Sequence, residues 1–193
     1  MTQFGLGSAL LVQRDYSAAA DAIEAGLEVY PTDSQFLPVA EGLYHNKLYR
    51  YSRVLELAER MVKIDSSPGS RLNFMEANLT ASHFEDCAQQ EALIDNASIS
   101  QPEILIRDTL KLTCDWGAEQ KSAAHQTEQA LVSKTAGLQK AAWESAGTLH
   151  FLASSPAFEA GRASWIALFE SLESGDGAAM AGALHQLEEV MKR

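Results

Sequence analysis

Three aromatic residues, Tyr16, Tyr51 and Phe84, recur at intervals of 35 and 33 positions. The string Tyr16-Ser17-Ala18-Ala19-Ala20 is echoed by Phe84-Glu85-Asp86-Cys87-Ala88. A period of this length restricts the fold severely. Each copy is a single supersecondary unit, too small to bury its own apolar face, so copies must stack and about three are needed for stability. The apolar residues around the markers follow helical spacing, and no alternating β-branched run suggests a strand. The expected fold class is therefore all-α.

The first copy contains Leu6, Gly7, Leu10, Tyr16, Ala19, Ile23, Gly26 and Pro31. The second places Gly42, Tyr51, Val54, Ala58 and Met61 at the equivalent steps, with Asp65-Ser66 at the closing turn, and the third runs from about Leu72 to Asn96. This pattern resembles the tetratricopeptide repeat, with Ile23 where an aromatic is usual, Gly26 where alanine is usual and Ser66 in place of the closing proline. The resemblance implies an α-solenoid of antiparallel helix pairs. Three repeats are expected over residues 1–98 (about 2–32, 36–67 and 70–98), with divergent helical repeats or capping helices over 99–193, packed as one continuous solenoid. Small residues at Gly7, Ala19 and Gly26 would let paired helices approach closely, while Leu6, Leu10, Tyr16 and Ile23 fill the space between them.

Helix punctuation agrees with this division. Asp33 or Ser34 can cap the helix that follows, and Pro38 falls in its first turn, where a missing N–H breaks no intrahelical bond. Ser100-Gln101-Pro102-Glu103 has capping-box spacing, and Ser155-Pro156 opens a further helix in the same way. Beyond residue 99 helices are expected around Ile104–Leu112, Ala123–Leu131, Trp143–Leu152, Phe158–Leu172 and Ala178–Met191, about five helical pairs in all. Gly175-Asp176 reads as a tight turn between two of them. Trp143, Gly147 and Ala160 fit a degenerate fourth repeat, although a divergent cap is the preferred reading.

Charge and composition narrow the partner classes. The net charge of −11 is spread along the chain, −7 over residues 1–98 and −4 over 99–193. Nucleic acid and anionic lipid both require Lys and Arg to neutralise phosphate, so neither is an expected partner. A basic stretch from Lys47 to Arg71 is broken by Glu56, Glu59 and Asp65 and reads as helix faces carrying i,i+4 pairs. No apolar run approaches the roughly 18 residues of a membrane span and no signal segment is apparent, so a cytoplasmic protein is expected. Cys87 and Cys114 have no ligand spacing. Two buried thiols in a reducing cytosol is the simpler account, a disulfide the alternative.

No catalytic spacing emerges. His45, His83, His125, His150 and His185 fall in separate segments without HExxH or HxxxH spacing, and no phosphate loop, dinucleotide fingerprint or nucleophile elbow occurs. Adjacent carboxylates such as Glu85-Asp86 and Glu188-Glu189 do not share a helix face. No enzyme activity, cofactor or metal is expected. Trp143 and Trp165 are expected to anchor the core.

In tetratricopeptide arrays the first helix of each pair lines the concave groove, and the resemblance therefore selects Phe4, Ser8, Leu11, Leu43, Asn46, Lys47, Leu72 and Glu76 as groove residues. Val12, Val39, Leu79 and Thr80 accompany them. Co-chaperones of the family clamp acidic peptide termini with Lys and Asn on the first groove helix, but Phe4 and Ser8 stand at those places. A protein or peptide partner, bound as an amphipathic helix or extended apolar segment, is the expected ligand. The alternative occupancy of the groove is by the chain's own C-terminal helices folded back. Leu112-Thr113-Cys114-Asp115-Trp116 also resembles a helix that follows the repeats in some O-linked glycosyltransferases, which implies a second function, an accessory or regulatory module of a larger enzyme. A secretion-type chaperone is a third.

Overall fold

The computed structural model describes residues 3–193; Thr2, where the first repeat was expected to begin, lies outside the described residues. All regular structure among them is helical. Eleven α-helices run in order: α1 (Gln3–Val12), α2 (Tyr16–Val29), α3 (Phe36–Leu43), α4 (Tyr51–Ile64), α5 (Pro68–Thr80), α6 (Phe84–Glu91), α7 (Gln101–Gly117), α8 (Lys121–Val132), α9 (Ala146–Ser154), α10 (Arg162–Ser174) and α11 (Gly177–Met191). A π-helical turn, Tyr44–Leu48, continues α3, and three short 3₁₀ segments lie elsewhere.

One local device makes the helix pairs. Each turn from α1 to α2, α5 to α6, α7 to α8 and α10 to α11 contains one residue with positive φ: Arg14, Ser82, Glu119 and Gly175. The following N–H reaches back five residues, Asp15 to Leu10, His83 to Asn78, Gln120 to Asp115 and Asp176 to Ser171, at 2.8 to 3.0 Å. This closes the last orphan carbonyls of the first helix and reverses the chain within three residues. The α3–α4 turn does the same one residue later, with Tyr49 at positive φ and Arg50 N–H bonded to Tyr44 O, because the π turn inserts an extra residue. Side chains of Asp15 and Asp176 then cap α2 and α11. Gly175-Asp176 is thus the turn its sequence suggests.

Two compact units form, residues 1–70 and 71–193, and the division falls within α5. In the first unit Asp33 accepts from Gln35 and Phe36 N–H and so starts α3. Ile23, Leu37, Val54 and Leu57 fill its interior, together with the small residues Ala19, Ala40 and Ala58. Crossing distances there depend on missing side chains. A Cβ on Gly7 would lie 2.9 Å from Ile23 Cγ1, and one on Gly26 would enter the Phe36 ring.

In the second unit the capping box forms as its spacing implies, with Ser100 and Glu103 side chains exchanging bonds with each other's backbone N–H. Trp165, Phe158 and Phe169 are fully buried, and Phe158 meets Trp165, Phe84 and Phe151 edge-on at 5.5 to 6.0 Å. Trp143 departs from expectation. It precedes α9 in a non-helical stretch and is half-buried, although its ring still packs on Phe169 at 5.3 Å. Pro156 opens a 3₁₀ turn only, and the helix proper begins at Arg162.

The thiol expectation is corrected. Cys87 of α6 and Cys114 of α7 form a disulfide, their Cα atoms 6.0 Å apart and both side chains fully buried. Antiparallel packing of two helices joined by a nine-residue link brings them into register, which residue spacing alone does not reveal.

Candidate binding surfaces

In the first unit, α1 is uncharged and apolar on every side, yet Gly7 is its only fully buried residue. A helix apolar all round normally belongs inside a core. Here Val12 is 85% exposed and Leu6 39%, while Phe4, Ser8 and Leu11, which share a face by their i, i+4, i+7 spacing, are half-buried. Phe4 rests edge-on against Phe36 at 5.4 Å, which fixes one end of that face to the start of α3.

The expected groove residues of α3 separate. Leu43 is buried at 3% exposure and belongs to the core, so it is not open to a partner. Lys47 is exposed, and Asn46 is half-buried with its Oδ1 enclosed and lacking a donor. Both lie in the π turn, whose extra residue rotates them out of the register that an uninterrupted α-helix would give.

Beside them a polar clip ties three helical segments together. Glu24 of α2 accepts from Tyr44 Oη at 2.9 Å and from Arg53 Nε and Nη2 of α4 at 2.9 and 2.6 Å. Burial works to raise the Glu24 pKa, but the Arg53 and Tyr44 bonds outweigh it and leave the carboxylate below its ordinary range. The Tyr44 phenol is pushed up to about 12, by burial first and then by Glu24. A fork of this kind is a structural tie with both partners satisfied.

The two expected groove residues of α5 are both interior in the second unit, and this corrects their assignment as ligand contacts. Leu72 is 7% exposed. Glu76, also 7% exposed, accepts hydrogen bonds from Trp143 Nε1 at 2.9 Å and from Thr148 Oγ1. The segment leading into α9 therefore covers the face of α5 that the repeat pattern would leave open. Burial pushes the Glu76 carboxyl up to about 7; the Thr148 and Trp143 bonds oppose this, and the nearby Glu144 charge adds to it.

Two further polar groups escaped the sequence reading. Buried Arg107 on α7 holds Asp108 through Nε and Nη2, bonds to Asn96 Oδ1 and lies 3.6 Å from Glu91, and Asp108 Oδ2 meets Lys134 at 2.5 Å. Asp115, 1% exposed, takes Lys111 Nζ at 2.7 Å and Thr127 Oγ1 at 3.5 Å on Oδ2, while Oδ1 has no donor. Among the described residues no group of three or more His, Cys, Asp or Glu could hold a metal ion, and no helix is long and apolar enough to cross a membrane. No family model, curated protein or solved structure matches the chain.

Proposed function

We propose that this chain is a helical-repeat scaffold of tetratricopeptide type that binds a protein segment, and not a catalyst. The observation that carries this reading is α1: an uncharged apolar helix whose Phe4–Ser8–Leu11 face and Val12 remain accessible, at a cost in hydration that occupation by apolar side chains would relieve. The fitting ligand is an amphipathic helix presenting apolar residues at i, i+3/i+4 and i+7. The recurring positive-φ turn supports descent from one repeated hairpin. The Cys87–Cys114 bond favours action in an oxidising compartment over the expected cytoplasmic location.

The test is selection of peptides from a displayed library against the intact protein, followed by hydrogen-exchange mapping. Selected peptides should carry apolar residues at helical spacing and protect α1. Ser8→Arg, which adds bulk and charge at the centre of the face without emptying the core, should weaken them about tenfold or more. Peptides that leave α1 unprotected and bind the folded Ser8→Arg protein undiminished would refute the reading.

A further inference from the structure

The chain contains two Asn-x-Ser/Thr triplets, Asn78-Leu79-Thr80 and Asn96-Ala97-Ser98, both in the second unit and neither with proline at its middle position. This is the acceptor signature for an N-linked glycan, and it functions where the asparagine lies on an accessible loop. The two triplets stand in opposite situations. Asn78 lies on α5 at 2% exposure, with its Nδ2 donating to Phe74 O at 2.8 Å. Thr80 is equally buried and spends its hydroxyl on Glu76 O and Ala77 O. Reaching that amide would require melting the last turns of α5.

Asn96, Ala97 and Ser98 are all exposed, in one 3₁₀ turn within the link from α6 to α7. The backbone of that turn is held by short-range bonds: Asp95 Oδ1 accepts from Ala97 N–H at 3.0 Å, and Ser98 Oγ donates to Asp95 O at 2.7 Å. Such a turn opens at little cost. The Asn96 amide also uses its two ends differently. Oδ1 accepts from Nη1 of buried Arg107, whereas Nδ2 makes no hydrogen bond among the described residues. The nitrogen is the atom that a glycan takes, and the carbonyl that ties the link to the Arg107–Asp108–Lys134 cluster remains an acceptor afterwards. An independent observation concerns the compartment. The Cys87–Cys114 bond brackets this link and belongs to oxidising environments, where sugar transfer of this kind takes place.

We propose that Asn96 is an N-glycosylation site. The co-reactant is a lipid-pyrophosphate-linked oligosaccharide, presented by a membrane-bound transferase. Asn96 Nδ2 forms a bond to C1 of the first sugar and the C1–O bond to the pyrophosphate breaks. The lipid pyrophosphate leaves with that electron pair, and one amide proton passes to a base of the transferase. The product keeps one N–H and the Oδ1 acceptor, so the Arg107 bond is retained. The sugar adds hydrophilic bulk to a link that exposes Leu93 at 56%. This site rests on the oxidising compartment proposed above and is independent of the α1 surface.

The test sends the full chain through the secretory pathway of cultured animal cells and maps the folded, secreted protein by peptide mass without reduction. Asn96 should carry a glycan, which peptide N-glycosidase removes while converting the amide to a carboxylate, and Asn78 should be bare. Ser98→Ala keeps the Asn96–Arg107 bond but lacks the hydroxyl of the signature, so it should lose the sugar with its circular dichroism spectrum unchanged. A bare Asn96 in the secreted protein, or sugar retained there by Ser98→Ala, would overturn the inference. The same digest reads the Cys87–Cys114 linkage. An intact bond with a bare Asn96 refutes the site alone, whereas free thiols overturn the compartment reading and the inference with it. If the chain is retained in the cell, purified folded protein given solubilised transferase and its lipid-linked donor decides: modification of Asn96 and not of Asn78 upholds the site, and any other pattern overturns it.

Discussion

The indole nitrogen of Trp143 donates a 2.9 Å hydrogen bond to Oε2 of Glu76, which stands 67 residues earlier on α5. Thr148 donates to the other oxygen, so a single buried carboxylate gathers α5, the segment before α9, and α9 itself. Its pKa has an unusual direction for a carboxylate with two donors. Burial outweighs both bonds, raising it from the ordinary 4.5 to about 7. In the window between those values the folded protein keeps a proton that the unfolded chain has released. Stability is then fully present below pH 4.5, falls as pH rises to about 7, and is level above that. Glu76→Gln, which still accepts from Trp143 and can donate its amide to Thr148 Oγ1, should remove this slope. Relative to the native protein its stability should gain steadily from pH 4.5 to 7, by up to roughly 3 kcal/mol. Denaturant titrations across that range check it, and parallel profiles for the two proteins would mean that another group dominates.

The Cys87–Cys114 bond constrains the unfolded chain across a separation of 27 residues. Replacing both by serine, or reducing the bond, should lower stability by about 2 to 4 kcal/mol. Thermal melts with and without reductant measure this directly. Thiol titration of the unreduced, unfolded protein should find none, and two free thiols there would restore the reducing-cytosol account.

Gly26 should behave against the general helix ranking. An interior glycine changed to alanine ordinarily gains up to about 1 kcal/mol, but a methyl group at this position enters the Phe36 ring. Gly26→Ala should therefore destabilise by about 1 to 3 kcal/mol, and adding Phe36→Leu should recover part of the loss. Ala19→Phe, at a site with no exposure, should fail for the same reason. Unfolding midpoints of the single and double variants decide between overpacking and propensity.

Much of the helical frame was legible because its signals are local. The Ser100–Glu103 box and the Gly175 turn act within a few residues and survive whatever packs on them. The candidate surface was harder to read. Leu43 and Glu76 were assigned to an open face on the assumption that the first helices stay uncovered, whereas Trp143 and Thr148 lie far along the chain from Glu76 and cover it. Asn46 and Lys47 were projected with a 3.6-residue period, which a π turn breaks. The disulfide and the Arg107–Asp108–Lys134 cluster join residues whose sequence spacing carries no signal.

Between Cys87 and Cys114 the chain passes through Ala92–Ser98, where every residue but Ile94 is exposed. The peptide backbone is thus one of two covalent paths from α6 to α7, and the sulfur bridge is the other. Opening the backbone in this stretch would change the order of the chain ends without releasing either helix, which makes it the natural place for relocated termini or an inserted domain. Covalent continuity from Cys87 to Cys114 is consequently a closed ring, whereas elsewhere among the described residues it is a line.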